Sequence, residues 1–459
     1  MMGEGTTDTV IFWVVSENGP MVGSVAESHR IEKKRTGIRS LRKLLSAGMR
    51  EAKKPMRAWL DMLANLRRDP KSQALALRLG SLAAIIFALF FVSSVAQFTF
   101  YQRSPNDFAV YVRAAEALRD GGNIYSVTIP VQSFGLGELP LRYLYPPPLA
   151  ALLCLLLPLG TAALDSLWIA LSVASILAVA WAMRAEKLVT SLGVGWIAVC
   201  LTFWPPTIDG FEAGQVNALV LALLAAFLVA LQQGRFMLAG WALGGAVMLK
   251  VTPIFLALLL LSRDAAPARK HLALSLAAIS LLALAAFGSG PWIDFVAALP
   301  AISSGAEVWM NRSNLALSRF LFDAIPGISR ADALLVQRIV VVLSCCLSGY
   351  RALQWGRAGF TRCFSAMLLV MVLSAPVIWF NHLLWCAFPI VTSWNCTRGS
   401  PVLRSTVFLC ALAITASRFV DMYLQLHGAS GAVPGGAMLS AAALALIIIL
   451  SRQRPAFAN

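Results

Sequence analysis

The run FMLAGWALGGAVMLKVTPIFLALLLLS, residues 236–262, decides the fold. Its 27 residues carry a single charge, Lys250. One crossing of a bilayer core takes about 20 apolar residues at about 1.5 Å each, so the run is a membrane element longer than one upright span. The sequence Lys250, Val251, Thr252, Pro253 breaks it near the middle. Proline removes a backbone donor, which a membrane tolerates beside a protein-lined cavity, so the run reads as a hairpin of two short helices. An ammonium inside such a segment costs roughly 2.5–3.5 kcal/mol on insertion scales. Lys250 should therefore face a cavity or an anion, and a lysine snorkelling to the interface is the competing reading.

The rest of the chain repeats the pattern. Of 459 residues, 58% are hydrophobic and 13% charged, with mean hydropathy +0.73. That composition describes a polytopic membrane protein and excludes a soluble globular one. Apolar stretches lie at 79–99, 147–159, 163–183, 189–205, 215–232, 236–262, 270–288, 333–354, 363–380, 383–397, 402–422 and 433–450. The fold class is all-α, a bundle of about 11–12 transmembrane helices. The stretch at 147–159 is too short to cross upright and reads as a re-entrant half helix paired with the span after it.

The net charge of +16 would suggest nucleic acid in another setting. Here the positions of the basic residues explain it, and no nucleic-acid partner is expected. Arg452 and Arg454, Arg398 and Arg404, Arg351, Arg357 and Arg362, then Arg263, Arg269 and Lys270 mark alternate connections as cytoplasmic. The outward connections are then 100–146, 289–332, the short stretch at Asn381 and His382, and 423–432. Both termini fall inside, as expected for an inner (cytoplasmic) membrane protein of bacterial type. Residues 1–78 hold 15 Lys or Arg against 8 Asp or Glu, form no signal peptide, and read as a cytoplasmic basic arm. Within it Ile38, Leu41, Leu45, Met49, Ala52, Met56, Trp59, Leu63 and Leu66 form one helical stripe flanked by lysines and arginines, suited to an anionic leaflet. Domain bounds follow: arm 1–78, membrane domain 79–450, cytoplasmic tail 451–459. The eight cysteines lie in or beside apolar runs without a CxxC pair and read as small buried residues.

Chemistry is sought in the two long outer loops and the helix mouths beside them. Asp107 follows Ser104, Pro105 and Asn106 and precedes a helical run from Phe108 to Arg119. It reads either as a helix cap or as a general base at the outer boundary. Tyr145 precedes Pro146–Pro148 as an interfacial aromatic. Gln215 and Asn217 stand at a helix mouth, as substrate ligands or as a wet surface loop. Arg312, in Trp309–Asn314, offers a guanidinium to a phosphate or to water. His382, after Trp379, Phe380 and Asn381, sits at the outer end of its helix, where an interfacial histidine is the plain alternative. No HExxH, Walker A, GxSxG or GxGxxG context occurs.

Taken together, Asp107, Phe108, Val110 and Tyr111, then Gly122–Tyr125, Tyr145–Pro148, Gly214–Asn217, the run Gly234, Arg235, Ala239, Gly240, Gly244, Lys250, Pro253, and the late Asn381 and His382 resemble glycosyltransferase family 87. The resemblance spans about 80–390 and implies a GT-C-like fold with long outer-face loops. It is a family that includes mycobacterial α-1,2-mannosyltransferases acting on phosphatidylinositol mannosides with polyprenyl-phosphate mannose. The first outer loop has one Asp107 and no DxD pair. The resemblance implies that Asp107 is the catalytic base of an inverting transfer of a sugar, mannose foremost, from a polyprenyl-phosphate donor to a glycolipid or glycan acceptor. Lys250, Arg312 and His382 would then hold the donor phosphate, with Gln215, Asn217 and Tyr145 as substrate ligands. No cofactor is expected, no metal ligand set is assigned, and the transfer does not strictly require a metal. A transporter or flippase for a lipid-linked sugar is the alternative, and it predicts related halves that the sequence lacks.

Overall fold

A computed structural model describes residues 107–133, 137–190, 193–305, 309, 314–426 and 434–452. The N-terminal arm, the span at 79–99, Ser104–Asn106, Arg312 and the end of the tail lie outside the described residues.

The first outer loop opens with α1 (Asp107–Arg119) and continues into a hairpin of β1 (Thr128–Ser133) and β2 (Gly137–Arg142). The strands are antiparallel, with Thr128 opposite Arg142 and Pro130 opposite Pro140. The all-α reading holds for the bundle, and this hairpin is an addition to it. Its prolines, which forfeit ladder donors, hid the strands in the sequence. Then follow α2 (Pro147–Leu156), α3 (Thr161–Ala185), α4 (Gly193–Phe203), α5 (Pro205–Glu212), α6 (Asn217–Gln232) and α7 (Phe236–Leu249). A 3-10 helix (Thr252–Leu261), α8 (Ala268–Phe287), α9 (Gly290–Ser304), α10 (Leu317–Ala324) and α11 (Arg330–Trp355) come next. After α12 (Phe360–Ser374) a second 3-10 helix (Phe380–Cys386) leads into α13 (Ala387–Cys396), α14 (Pro401–Leu426) and α15 (Pro434–Arg452).

Among the described residues five helical stretches are long and apolar enough to cross a membrane: Thr161–Ala185, Ala268–Phe287, Arg330–Ser374, Pro401–Leu424 and Pro434–Arg452. The other apolar helices are shorter than the dozen-span reading supposes. The 16 residues of α6 reach about 24 Å, less than a core of about 30 Å. The reason is local, because α6 begins at Asn217 and α7 ends at Leu249, where both meet a polar cluster set into the bundle. The break at Lys250 is as the sequence indicates. Lys250 is extended (φ −156°, ψ 129°), and Pro253 stands in the first turn of the 3-10 helix on the far side, where its missing N–H has no helical partner to lose.

Two glycines let α7 approach α8. A Cβ at Gly240 would strike the His271 and Leu272 backbone, and one at Gly244 would overlap the Ser275 hydroxyl. Ser275 Oγ donates across this contact to the Gly240 carbonyl at 3.2 Å. Close approach of this kind replaces the hydrophobic drive that lipid does not supply.

The connections gather at two ends. At one, Thr361 Oγ1 donates to Glu186, Gln232 to Thr361, the Arg357 N–H to Asp264, and Asn395 to the Leu188 carbonyl. This is the end carrying Arg184, Lys187, Arg235, Arg357 and Arg362. The other ends of α6 and α7 hold Asn217 and Lys250, so polar cluster and basic connections sit at opposite ends of the same helices.

Candidate active site

The cluster is built on the turn between α5 and α6. Gly214 there has φ +64°, and a Cβ would run into Phe108, so glycine is what lets the turn lie under α1. The Asp107 N–H donates to the Ala213 carbonyl at 2.9 Å. Trp168 Nε1 donates to the Gly214 carbonyl at 2.9 Å, and its ring stacks on Phe108 at 4.8 Å. These contacts hold the start of α1 against the start of α6 and set Gln215 beside Asp107.

A one-way chain of hydrogen bonds then ends on the Asp107 carboxylate. The Tyr111 hydroxyl donates to Tyr145 Oη at 2.9 Å, Tyr145 donates to Gln215 Oε1 at 3.2 Å, and Gln215 Nε2 donates to Asp107 Oδ2. With its oxygen occupied by a tyrosine, the Gln215 amide has only its NH₂ to offer the carboxylate. Burial pushes the Asp107 carboxyl up from 3.8 to about 6; the Gln215 hydrogen bond and the Lys250 charge pull the other way, and Asp209 adds a smaller rise. Burial also raises the Tyr111 and Tyr145 hydroxyls, which keeps both as donors at neutral pH. A half-buried carboxyl with its pKa raised to about 6 is suited to accepting a proton.

The second half of the cluster surrounds Lys250. Its Nζ donates to Asn217 Oδ1 at 2.9 Å and lies 2.9 Å from His382 Nε2. It also sits over the Trp385 ring at 4.8 Å and the Tyr145 ring at 5.7 Å, faces that attract a cation. His382 is carried by the fully buried 3-10 helix Phe380–Cys386 and stacks on Trp385 at 5.4 Å. Its Nδ1 faces the Trp379 N–H at 3.2 Å. A neutral imidazole has one lone pair in its ring plane, so the tautomer in which Nδ1 accepts from the Trp379 N–H presents Nε2–H toward Lys250, and the other tautomer accepts from Lys250 at Nε2. Beyond Lys250 the network runs on through Asn217, Asn381 and Asp209 to Arg418.

Six of the residues picked from the sequence therefore meet: Asp107, Tyr145, Gln215, Asn217, Lys250 and His382. The seventh, Arg312, lies outside the described residues. Several plainer readings are corrected. Gln215 and Asn217, 5% and 1% exposed, are no wet surface loop. Lys250 does not snorkel, because its ammonium is fixed on Asn217 and His382. His382, 7% exposed, is packed inside the protein. The Tyr145 hydroxyl turns inward to Gln215. The Asp107 carboxylate takes its bond from Gln215, in the turn between α5 and α6, rather than serving the first turn of α1 alone.

Sequence reasoning gave no role to Trp385, Asp209 or Arg418. Tyr111 had a signal, since four residues after Asp107 it shares that residue's helix face. Arg418, a charge inside the apolar stretch 402–422, had the same signal as Lys250. Among the described residues no group of three or more His, Cys, Asp or Glu side chains is placed to hold a metal ion. All eight cysteines are free thiols.

A family model described as glycosyltransferase family 87 matches residues 143–380, just over half of the chain. No curated protein matches it.

Proposed function

The chain belongs to glycosyltransferase family 87 and is a membrane glycosyltransferase, and from that premise we propose that it moves a hexosyl group, mannosyl foremost, from a polyprenyl-phosphate donor to a lipid-linked or glycan hydroxyl. The observation that carries this reading is the pairing of a carboxylate poised near neutrality with a caged ammonium in one buried network, where each also acts electrostatically on the other. In the reaction the acceptor oxygen attacks the anomeric carbon from the face opposite the phosphate. Its proton passes to Asp107, the bond between the anomeric carbon and the phosphate oxygen breaks, and polyprenyl phosphate leaves with the electron pair. The configuration inverts. Charge grows on the leaving phosphate, where Lys250, oriented by Asn217 and His382, stabilises it more than in the ground state.

The site lies at the end of the bundle away from the basic connections, which supports action at the outer face of an inner (cytoplasmic) membrane with both termini inside. The basic arm at 1–78 is then a separate cytoplasmic element resting on the inner leaflet. The flippase alternative gains no support from a glycosyltransferase family.

The test is a panel of labelled polyprenyl-phosphate sugars incubated with membranes holding the wild type or Lys250→Met, with lipid products and donor KM as readouts. One sugar should transfer. Lys250→Met should raise donor KM more than acceptor KM. Transfer from nucleotide sugars alone, or an unchanged donor KM in Lys250→Met, would overturn the assignment.

A further inference from the structure

Two buried amides stand in series between a cation and a carboxylate. Lys250 Nζ donates to Asn217 Oδ1 at 2.9 Å. Asn217 Nδ2 donates to Asn381 Oδ1 at 2.9 Å, and Asn381 Nδ2 donates to Asp209 Oδ2 at 3.1 Å. Arg418 Nη1 holds the other Asp209 oxygen at 2.8 Å. Asn217 and Asn381 are 1% and 4% exposed, so neither has water to fall back on. Each amide has one donor end and one acceptor end. Turning either over would point NH₂ at the ammonium or oxygen at the carboxylate. The end charges therefore select one orientation for both amides, and aligned hydrogen bonds in a chain strengthen one another.

An Asp209–Arg418 pair serving only as a surface ion pair would not account for this. Those side chains are 24% and 37% exposed, and such pairs contribute little. The second Asp209 oxygen is instead committed to a buried asparagine. Of the charged and titratable groups facing Lys250, Asp107 acts from α1 and His382 from its 3-10 helix, while Asp209 on α5 reaches it only through the two amides.

We propose that Asp209 is a positioning residue for the donor phosphate: through Asn381 and Asn217 it fixes the Lys250 ammonium where the leaving phosphate arrives, and Arg418 anchors it. The inference rests on Lys250 being the donor-phosphate group, and its test separates the two ideas. Purified full-length protein is titrated with polyprenyl monophosphate, and transfer kinetics are measured in parallel. Asp209→Asn should weaken polyprenyl monophosphate binding about tenfold, the effect of losing one charged hydrogen-bond partner, and lower kcat as well, since a displaced Lys250 stabilises the leaving phosphate less, with acceptor KM nearly unchanged. The double variant Asp209→Asn/Asn381→Asp moves the carboxylate one link inward and should bind almost as the wild type does, although Arg418 has lost its partner. In a Lys250→Met background Asp209→Asn should cost nothing further, because the two residues act as one unit.

The relay is overturned if Asp209→Asn lowers both substrate affinities alike, or weakens binding equally with Lys250 absent. Should Asp209→Asn not fold, the double variant decides: normal binding supports the relay, and weakened binding in folded protein refutes it. If Lys250→Met itself leaves polyprenyl monophosphate binding unchanged, the phosphate reading of Lys250 fails. If Lys250→Met weakens binding and Asp209→Asn does not, only the relay fails.

Discussion

Asp107→Asn separates a base from a cap because the two roles predict opposite things about stability and rate. Asparagine caps helices as well as aspartate does, and its oxygen still accepts from Gln215. What it removes is the ionised form. Burial lifts the carboxyl from 3.8 to about 6, a rise of about 2 that corresponds to roughly 3 kcal/mol at ~1.4 kcal/mol per pKa unit. The folded-state value is raised, so the protonated carboxyl is the form the fold favours. That contribution is complete below the unfolded value near 3.9 and is lost as pH rises through about 6. At pH 7.5 Asp107→Asn should unfold at the same temperature as the wild type or higher. The gain stays under about 3 kcal/mol because the variant also forgoes attraction to Lys250, and it should vanish toward pH 4. Transfer should fall by about 10²–10⁴, the usual result of removing a general base. In the wild type kcat/KM should fall below about pH 6, where Asp107 takes up its proton. Melting in detergent at several pH values, with transfer measured on the same samples, checks all three. A folded Asp107→Asn protein that transfers at nearly the wild-type rate would remove the base and most of the mechanism.

Two further outcomes follow from the packing and the charge distribution. Gly240→Ala drives a methyl into the His271 and Leu272 backbone and should lower the thermal midpoint by the equivalent of about 1–3 kcal/mol, with activity per folded molecule retained. Gly245→Ala meets only Leu223 at an ordinary 3.7 Å and should be neutral or stabilising, helix propensity favouring alanine by about 1 kcal/mol; equal damage at both sites would refute the tight α7–α8 contact. With the native cysteines replaced, a cysteine at Ser126, exposed beyond α1, should react with an impermeant thiol reagent in intact cells. One at exposed Arg357 should not, and the reverse labelling would invert the membrane orientation.

Much of the bundle was legible from hydropathy, because in a membrane every backbone group must be satisfied inside the segment. The short helix before Gly160 could be read from length, and the break at Lys250 from length together with Pro253. Helix lengths near the site could not. That α6 starts as late as Asn217 and that the 3-10 helix takes over at Phe380 depend on which polar side chains find partners across the bundle, and those partners are 164 and 132 residues apart for Asn217–Asn381 and Lys250–His382. The β-hairpin was hidden for a different reason, since its prolines argue locally against strand and only the pairing decides for it.

The site shows the same division at the level of single residues. Lys250 and Asp107 announced themselves, one by its charge in an apolar run and the other by its place at the start of a helical run just after the first span, where the family resemblance expects a base. Gln215 and Asn217 looked like surface polar residues because spacing cannot tell a solvated helix mouth from one closed over by α1 and the Phe380–Cys386 segment. A buried amide is tolerable only when both its ends are met. Gln215 meets that condition with a tyrosine and a carboxylate, and Asn217 with an ammonium and another amide. Since the two are separated by a single residue, Val216, at the start of one helix, the same backbone turn orients the base on one side and the cation on the other. A distortion there, such as Gly214 replaced by a residue with a Cβ, would therefore disturb both halves of the reaction at once, whereas changes at Asp209 should act on the phosphate half through the amides and on Asp107 only through its smaller charge effect.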